Sequence, residues 1–421
     1  MLFNLLLVSI VFTANIDSSA NIRNIQENHY QFLDQINPAN PDFDLIDQAS
    51  PISKVKITDS DTVIFVENTT ELNFFKIFYA SSLIRSYENL MALKINLPLN
   101  IIKTHPQAKH LSIFSSIAFE NLNIPIINNI INEVNNLQLT QANDEANLLG
   151  INTLWDAGYN GTGVNVAIMD NGIDTTHPAL NSKIIGNIDI STNNTIPCKD
   201  HGTAVAGIIA ADQIDNNIDV LGMAYGSKFH DISFGCIGST IAGDILAGFD
   251  YILENNATID VVNTSFGGFA PSWDLIVEKL ESAGIVLVGS AGNDGPGFHT
   301  TTTGGPGNSI YGISVGASDI NGQLSPFSAR GPVYSMLYKP DLIAPGININ
   351  STSHLGGYDL YSGTSFSSPL VTGGILTLIS ALNSLGYNWN PGVIKAGLLK
   401  TGENSTNNEL LEGQGLVNFT A

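Results

Sequence analysis

From about residue 143 the chain alternates between two textures, and this alternation limits the folds open to it. Short, almost continuously apolar runs rich in β-branched residues (VNVAIMD, DVVNTSF, GIVLVGSAG and YGISVGAS) are separated by helical stretches. Those stretches are HGTAVAGIIAA, STIAGDILAGFDYILENN, SWDLIVEKLESA and TSFSSPLVTGGILTLISALNSL. A strand that is apolar along its whole length has to be covered on both sides. Strands of this kind alternating with helices predict an α/β fold, a mostly parallel sheet with helices on both faces. In such sheets the reactive groups gather at the carboxyl ends of strands, where loops turn into helices.

The segment before it has a different rhythm. TVIFVE reads as a strand, ELNFFKIFYA as a helix, and SSLIRSYENL and MALKINLP as two strands. NIIKTHPQ follows as a short helix and HLSIFSSIAFE as a last strand. The order is βαββαβ, a small α+β unit of the split-βαβ kind. We therefore expect four parts: a signal peptide over 1–20, a loosely ordered lead-in over 21–60 rich in Asn, Asp, Gln and Pro, the α+β unit over 61–142, and the α/β domain over 143–421.

Charge narrows the partners. Lys+Arg number 16 against 38 Asp+Glu, a formal charge of -22. With no basic footprint, no nucleic acid partner is expected, and no anionic membrane surface either. The first residues, MLFNLLLVSIVFTA, hold too short an apolar run to span a bilayer. They suit the hydrophobic core of a secretory signal ending at Ala14 or Ala20, although no Lys or Arg precedes it. A buried N-terminal strand or helix is the other reading. No membrane anchor is expected, so the protein reads as secreted and released. Two cysteines, Cys198 and Cys236, lack metal or redox spacing.

Three segments carry candidate chemistry. Asp170 ends an apolar strand and is followed at once by the turn pair Asn171-Gly172. His201 precedes a helix of small residues. Ser365 follows Gly363 and opens another helix. A serine hydroxyl is a poor nucleophile until a base takes its proton and a carboxylate orients that base. Attack on an amide also needs donors aimed at the developing oxyanion. Ser365 offers its own helix-start N–H, and Asn293, in VGSAGNDGP, can donate from its side chain.

These residues lie in DNGIDTTHP, DHGTAVAG, SAGNDG and SGTSFSSPLVTG. In sequence and order the four resemble the Asp, His, oxyanion-Asn and Ser motifs of the subtilisin-like serine proteases, the subtilases. FSARGP, KPDLIAPG and GQGLVN are similar to framework segments of that family, and GPGFHTTTTGGPG to its pyrolysin-type members. The resemblance implies a serine endopeptidase in which Ser365 attacks, His201 transfers the proton, Asp170 holds the histidine tautomer and Asn293 stabilises the oxyanion. It implies that Ser265, Phe266 and Gly267, with Ser290, Ala291 and Gly292, line the first specificity pocket. Those walls bring no charge, so an apolar or aromatic P1 residue and broad specificity are expected. The βαββαβ unit resembles the family's inhibitory, chaperone-like prodomain, which implies a self-processed zymogen. Protein or peptide substrates, the chain's own prodomain as a transient inhibitor, and a monomer complete the expectation.

Several positions depart from the commonest family pattern. Asn171 stands for the usual Ser or Thr, Ala204 for a His, and Phe366 and Leu370 for a Met and a His. Ala179 stands where many members carry a calcium-binding Asp, although Asp215, Asn216 and Asn217 remain in the matching loop. No cofactor and no metal are expected, with calcium doubtful. A Cys198–Cys236 disulfide beside the substrate cleft and two free thiols are both open. The rival reading is a catalytically silent binding or scaffold protein, whose usual mark, loss of a triad member, is not seen.

Overall fold

The structure is a computed structural model of the 421-residue chain. It describes residues 57–65, 83–87, 89, 92–95, 112–117, 142–191, 198–212, 220–235, 242–267, 273–295, 304–333 and 337–420. The chain divides into two units, Met1–Ile52 and Ser53–Ala421. The first, with the expected signal peptide and most of the lead-in, lies outside the described residues.

Four strands open the second unit: β1 (Ile57–Phe65), β2 (Leu83–Tyr87), β3 (Ala92–Ile95) and β4 (Ser112–Ile117). They form one antiparallel sheet in the order β2-β3-β1-β4. That is the strand order a split βαβ unit produces. The helices expected between them, over 71–80 and 100–107, lie outside the described residues. Strand β1 starts five residues before the expected TVIFVE, because Ile57 also pairs, with Ile117, across a register shift between Ile57 and Thr62.

The main sheet has seven parallel strands. They are β5 (Asn165–Asp170), β6 (Ile184–Asp189), β7 (Lys228–Ser233), β8 (Val261–Thr264), β9 (Val286–Ser290), β10 (Ile313–Ser318) and β11 (Leu342–Pro345), in the order β11-β10-β9-β8-β5-β7-β6. A hairpin, β12 (Ile349–Thr352) and β13 (Tyr358–Tyr361), follows. The helices are α1 (Ala142–Leu148), α2 (Ile151–Asp156), α3 (Asp200–Ala210), α4 (Ala242–Glu254), α5 (Trp273–Ser282), α6 (Thr364–Leu385), α7 (Pro391–Thr401) and α8 (Glu409–Glu412).

Side-chain alternation within the strands explains the two covered faces. Val166 and Ile168 of β5 pack into a core with Val205 and Ile209 of α3 and Val371 and Ile375 of α6. Ala167 and Met169, one position out of phase, join Ile245 and Phe249 of α4 and Ile276 and Leu280 of α5 on the other side. Neighbouring residues thus feed opposite cores, as the two-fold period of a strand requires. Helix α6 is long and apolar enough to cross a membrane, but most of it is buried in this first core.

One edge is held by charge. The Lys339 ammonium is buried and donates to the carbonyls of Gly307 (2.8 Å), Ser309 (2.9 Å) and Gly312 (3.1 Å), and to Asp341 Oδ2 (2.5 Å). Burial draws its pKa down to about 8 against the pull of Asp341, with Lys395 adding repulsion.

Candidate active site

Strand β5 lies inside the sheet, between β7 and β8, and delivers Asp170 at its carboxyl end. Asn171 and Gly172 then reverse the chain, with Gly172 at φ 99°, a conformation glycine adopts without strain. The Asp170 side chain is only 2% exposed. His201, second residue of α3, meets it directly: its Nδ1 lies 2.8 Å from Asp170 Oδ1 and 2.9 Å from Oδ2. With Asp170 on Nδ1, the proton sits there and Nε2 is left to accept. Burial opposes charging of this ring, yet the charge and hydrogen bond of Asp170, helped by Asp200, outweigh it and raise the imidazole pKa above its ordinary value.

Ser365 is the second residue of α6, and α6 starts where it does because Gly363, at φ 146°, turns the chain into it. The ring of Phe366, the next residue, lies 5.4 Å from that of His201. In this structure the Ser365 hydroxyl donates to the carbonyl of Ser265 at 3.2 Å rather than to the imidazole. Pro369 lies four residues on and has no N–H, so the Ser365 carbonyl has no helical partner. Ser265 Oγ fills that vacancy at 2.9 Å. The two serines are therefore cross-linked, backbone to side chain in both directions. Beneath them Asn263 donates to Ser265 Oγ (2.9 Å) and accepts from Ser368 (3.0 Å) and Thr372 (2.9 Å).

Asn293 follows β9 and stands beside the head of α6. Its side-chain oxygen accepts from the N–H of Thr364 (2.9 Å) and from the Thr364 hydroxyl (3.0 Å). Two donors on one atom fix which end of the amide is oxygen, so the NH₂ points away from Thr364. Thr364 Oγ1 in turn accepts from the N–H of Gly292 at 3.1 Å.

The expected pocket segments end adjacent strands. Ser265 and Phe266 follow β8, with the Phe266 ring edge-on to Phe234 at 5.3 Å. Ser290 closes β9, and Ser290 and Ala291 are buried. Gly267 leaves room beside them: a side chain there would meet nothing within 4 Å. All ten residues singled out from the sequence thus sit at carboxyl ends of neighbouring strands or at heads of helices, around one place.

Asp200, Asn263 and Thr364 were not among them. Asp200 and Thr364 are sequence neighbours of reacting residues, which is the one signal that points to them. Asn263 has none, since the α6 hydroxyls it accepts from, Ser368 and Thr372, lie more than 100 residues away.

Cys198 is disulfide-bonded, and Cys236 is the chain's only other cysteine. The strand expected over ISFGCIG ends earlier, at Ser233, and Cys236 itself lies outside the described residues. Ala179 is buried, and its carbonyl accepts the N–H of Asp212 at 3.0 Å. The Asp212 carboxylate is engaged by Lys183 (2.6 Å) and Ser182 (3.0 Å). Residue 179 therefore does not fit a calcium ligand. Asp215, Asn216 and Asn217 lie outside the described residues.

Comparison with known proteins agrees with this geometry. The subtilase family, peptidase S8, matches residues 161–417. Subtilisin E of Bacillus subtilis (strain 168) is 35% identical over 276 residues, covering 64% of this chain and 68% of that protein. Subtilisin of Bacillus pumilus is 38% identical over 235 residues, 54% of this chain and 80% of its own. Subtilisin Savinase of Lederbergia lenta is 34% identical over 269 residues, 63% and 92% respectively. The chain belongs to the subtilase family and is a serine-type endopeptidase.

Proposed function

We propose that this protein is a secreted endopeptidase, made as a zymogen, that cleaves peptide bonds through Asp170, His201 and Ser365. The observation that carries the reading is the His201 ring held through Nδ1 by both oxygens of Asp170, beside the helix head that presents Ser365. In the reaction, Ser365 Oγ leaves the Ser265 carbonyl, gives its proton to His201 Nε2 and attacks the scissile carbonyl carbon. The imidazolium formed is stabilised by Asp170 and passes the proton to the leaving amine. Water then repeats the sequence on the acyl-enzyme. The Asn293 amide and the Ser365 N–H receive the oxyanion. No metal step is needed.

The uncharged residues 265–267 and 290–292 support broad specificity with an apolar or aromatic P1 residue. A peptide-library profile dominated by Lys or Arg at P1 would contradict this. For the zymogen, support comes from the four-stranded sheet, which touches α4: the backbone N–H of Asn89 donates to Asp250 Oδ1 at 2.9 Å. The sheet acts as inhibitor and folding aid and is cut off by the enzyme itself near residues 135–150, leaving an active monomer. Expression of Ser365→Ala tests this: unprocessed precursor should accumulate, and normal maturation of that variant, expressed alone, would refute self-cleavage. Fluorophosphonate labelling of the wild type, lost in Ser365→Ala, distinguishes an enzyme from a silent scaffold. N-terminal sequencing of protein recovered from the medium tests export.

A further inference from the structure

We infer that Asn171 and Asp200 form a latch that positions His201, with the Asp200 carboxylate serving as a second anion for its imidazole; this deepens the protease reading and rests on it. Asn171 is 2% exposed and uses every polar group it has. Its N–H donates to Asp170 Oδ1 at 2.7 Å. Its carbonyl accepts from the Lys199 N–H at 3.3 Å. Its side-chain oxygen accepts from the Gly202 N–H at 2.9 Å, and its side-chain nitrogen donates to Asp200 Oδ1 at 2.7 Å. One residue thus ties the strand end that carries the carboxylate to the three residues around the base. An amide has an acceptor and a donor on separate atoms, so it spans Gly202 and Asp200 at once. A hydroxyl at the same position has a single atom for both.

Contact between these segments is close by construction. A methyl group at Gly202 would lie 2.4 Å from the Gly172 carbonyl and 3.2 Å from the Asp170 β-carbon. The Asp200 carboxylate stands at the head of its own helix, where an anion is favoured. Burial would raise its pKa, but the His201 N–H, the Asn171 amide and its own N–H lower it, so it is ionised at neutral pH. Among the charged and titratable groups nearby, Asp170 reaches His201 from β5 and Asp200 from α3 itself. Lys199, at the head of α3, and Asp170 both act on Asp231 of β7. Asp359 of the same strand and Asp200 both act on Tyr361 of β13. Asp170 and Asp200 are thus the two carboxylates that favour the protonated ring, and Asn171 holds both in place.

The test compares Asp200→Asn and Asn171→Ala with wild type in the processed enzyme. It follows the His201 titration by NMR and the pH profile of kcat/KM on a peptide substrate. Asp200→Asn keeps a side chain that can accept from Asn171 and removes only the charge. The His201 midpoint and the acid limb should both move to lower pH, with KM unchanged. Asn171→Ala should move them the same way and also lower kcat by roughly tenfold to a hundredfold, the cost of a misplaced base. An unmoved midpoint and acid limb in Asp200→Asn, in an enzyme whose wild type is active, would overturn the latch. An inactive, unlabelled wild type would instead sink the protease reading, while the NMR midpoints would still report on the latch. Asp200→Asn remains decisive if Asn171→Ala does not fold.

Discussion

At the scale of single residues, orientation matters more than identity. Asn293 can serve an oxyanion only because Thr364 takes its oxygen and turns the NH₂ outward. Asn293→Ala should therefore lower kcat by about 10²–10³, the size found for such a donor in this family, with KM little changed. Thr364→Val removes one of the two donors on that oxygen and keeps the backbone N–H, so it should lower kcat by less than Asn293→Ala; steady-state kinetics on one peptide checks both. Asp231 of β7 shows the opposite use of burial. Burial raises its carboxyl from 3.8 to about 7, although the Ile173 N–H and Lys199 favour the anion. Between those values the folded chain holds a proton that the unfolded chain has released, so this group's contribution to stability falls as pH rises through the interval. Asp231→Asn should therefore stabilise the protein at pH 8, with the gain shrinking toward pH 4. Urea unfolding in a Ser365→Ala background, which prevents self-digestion, measures it, and a gain that grows toward low pH would contradict the assignment. The sequence made Asp170, His201, Asn293 and Ser365 legible because each opens or closes a run of distinct texture. It said nothing of Asn263, whose role exists only once β8 lies against α6.

At the scale of elements, legibility followed burial. Strands β5, β8, β9 and β10 are covered on both faces and read as continuous apolar runs. Helix α6 was readable to its ends, from Thr364 to Leu385. Strand β6 was not, because it is an edge strand of alternating exposure whose sequence, IIGNID, mixes apolar and polar residues. The β12–β13 hairpin was silent too. Its Ser351 and Thr352 are buried by bonding to the carbonyls of Ala204 and Thr203 of α3 (2.6 and 2.7 Å), which polarity along the chain does not announce. The Lys339 cluster is an element-scale device of the same sort, joining the turn before β10 to the start of β11. Lys339→Met would leave Asp341 and a group of carbonyls short of a buried donor. It should destabilise the fold by about 3–5 kcal/mol, read as a lower midpoint in urea.

At the scale of the whole molecule, the disulfide of Cys198 and Cys236 closes a loop that contains α3 and β7. In the chain-entropy account a loop of that length is worth about 4 kcal/mol. Reduction should therefore lower the thermal midpoint of the Ser365→Ala protein measurably, and an unchanged midpoint would show the bond to be structurally idle. Helix α4 has two sides with different fates. One side feeds the core through Phe249 and Ile252. The other carries Asp250, which receives Asn89 of the four-stranded sheet. Asp250 is half-buried there. On the self-processing proposed above, removal of the sheet takes Asn89 from Asp250 and bares that negative charge, so precursor and product should differ in what an antibody, a resin or an inhibitor can touch there.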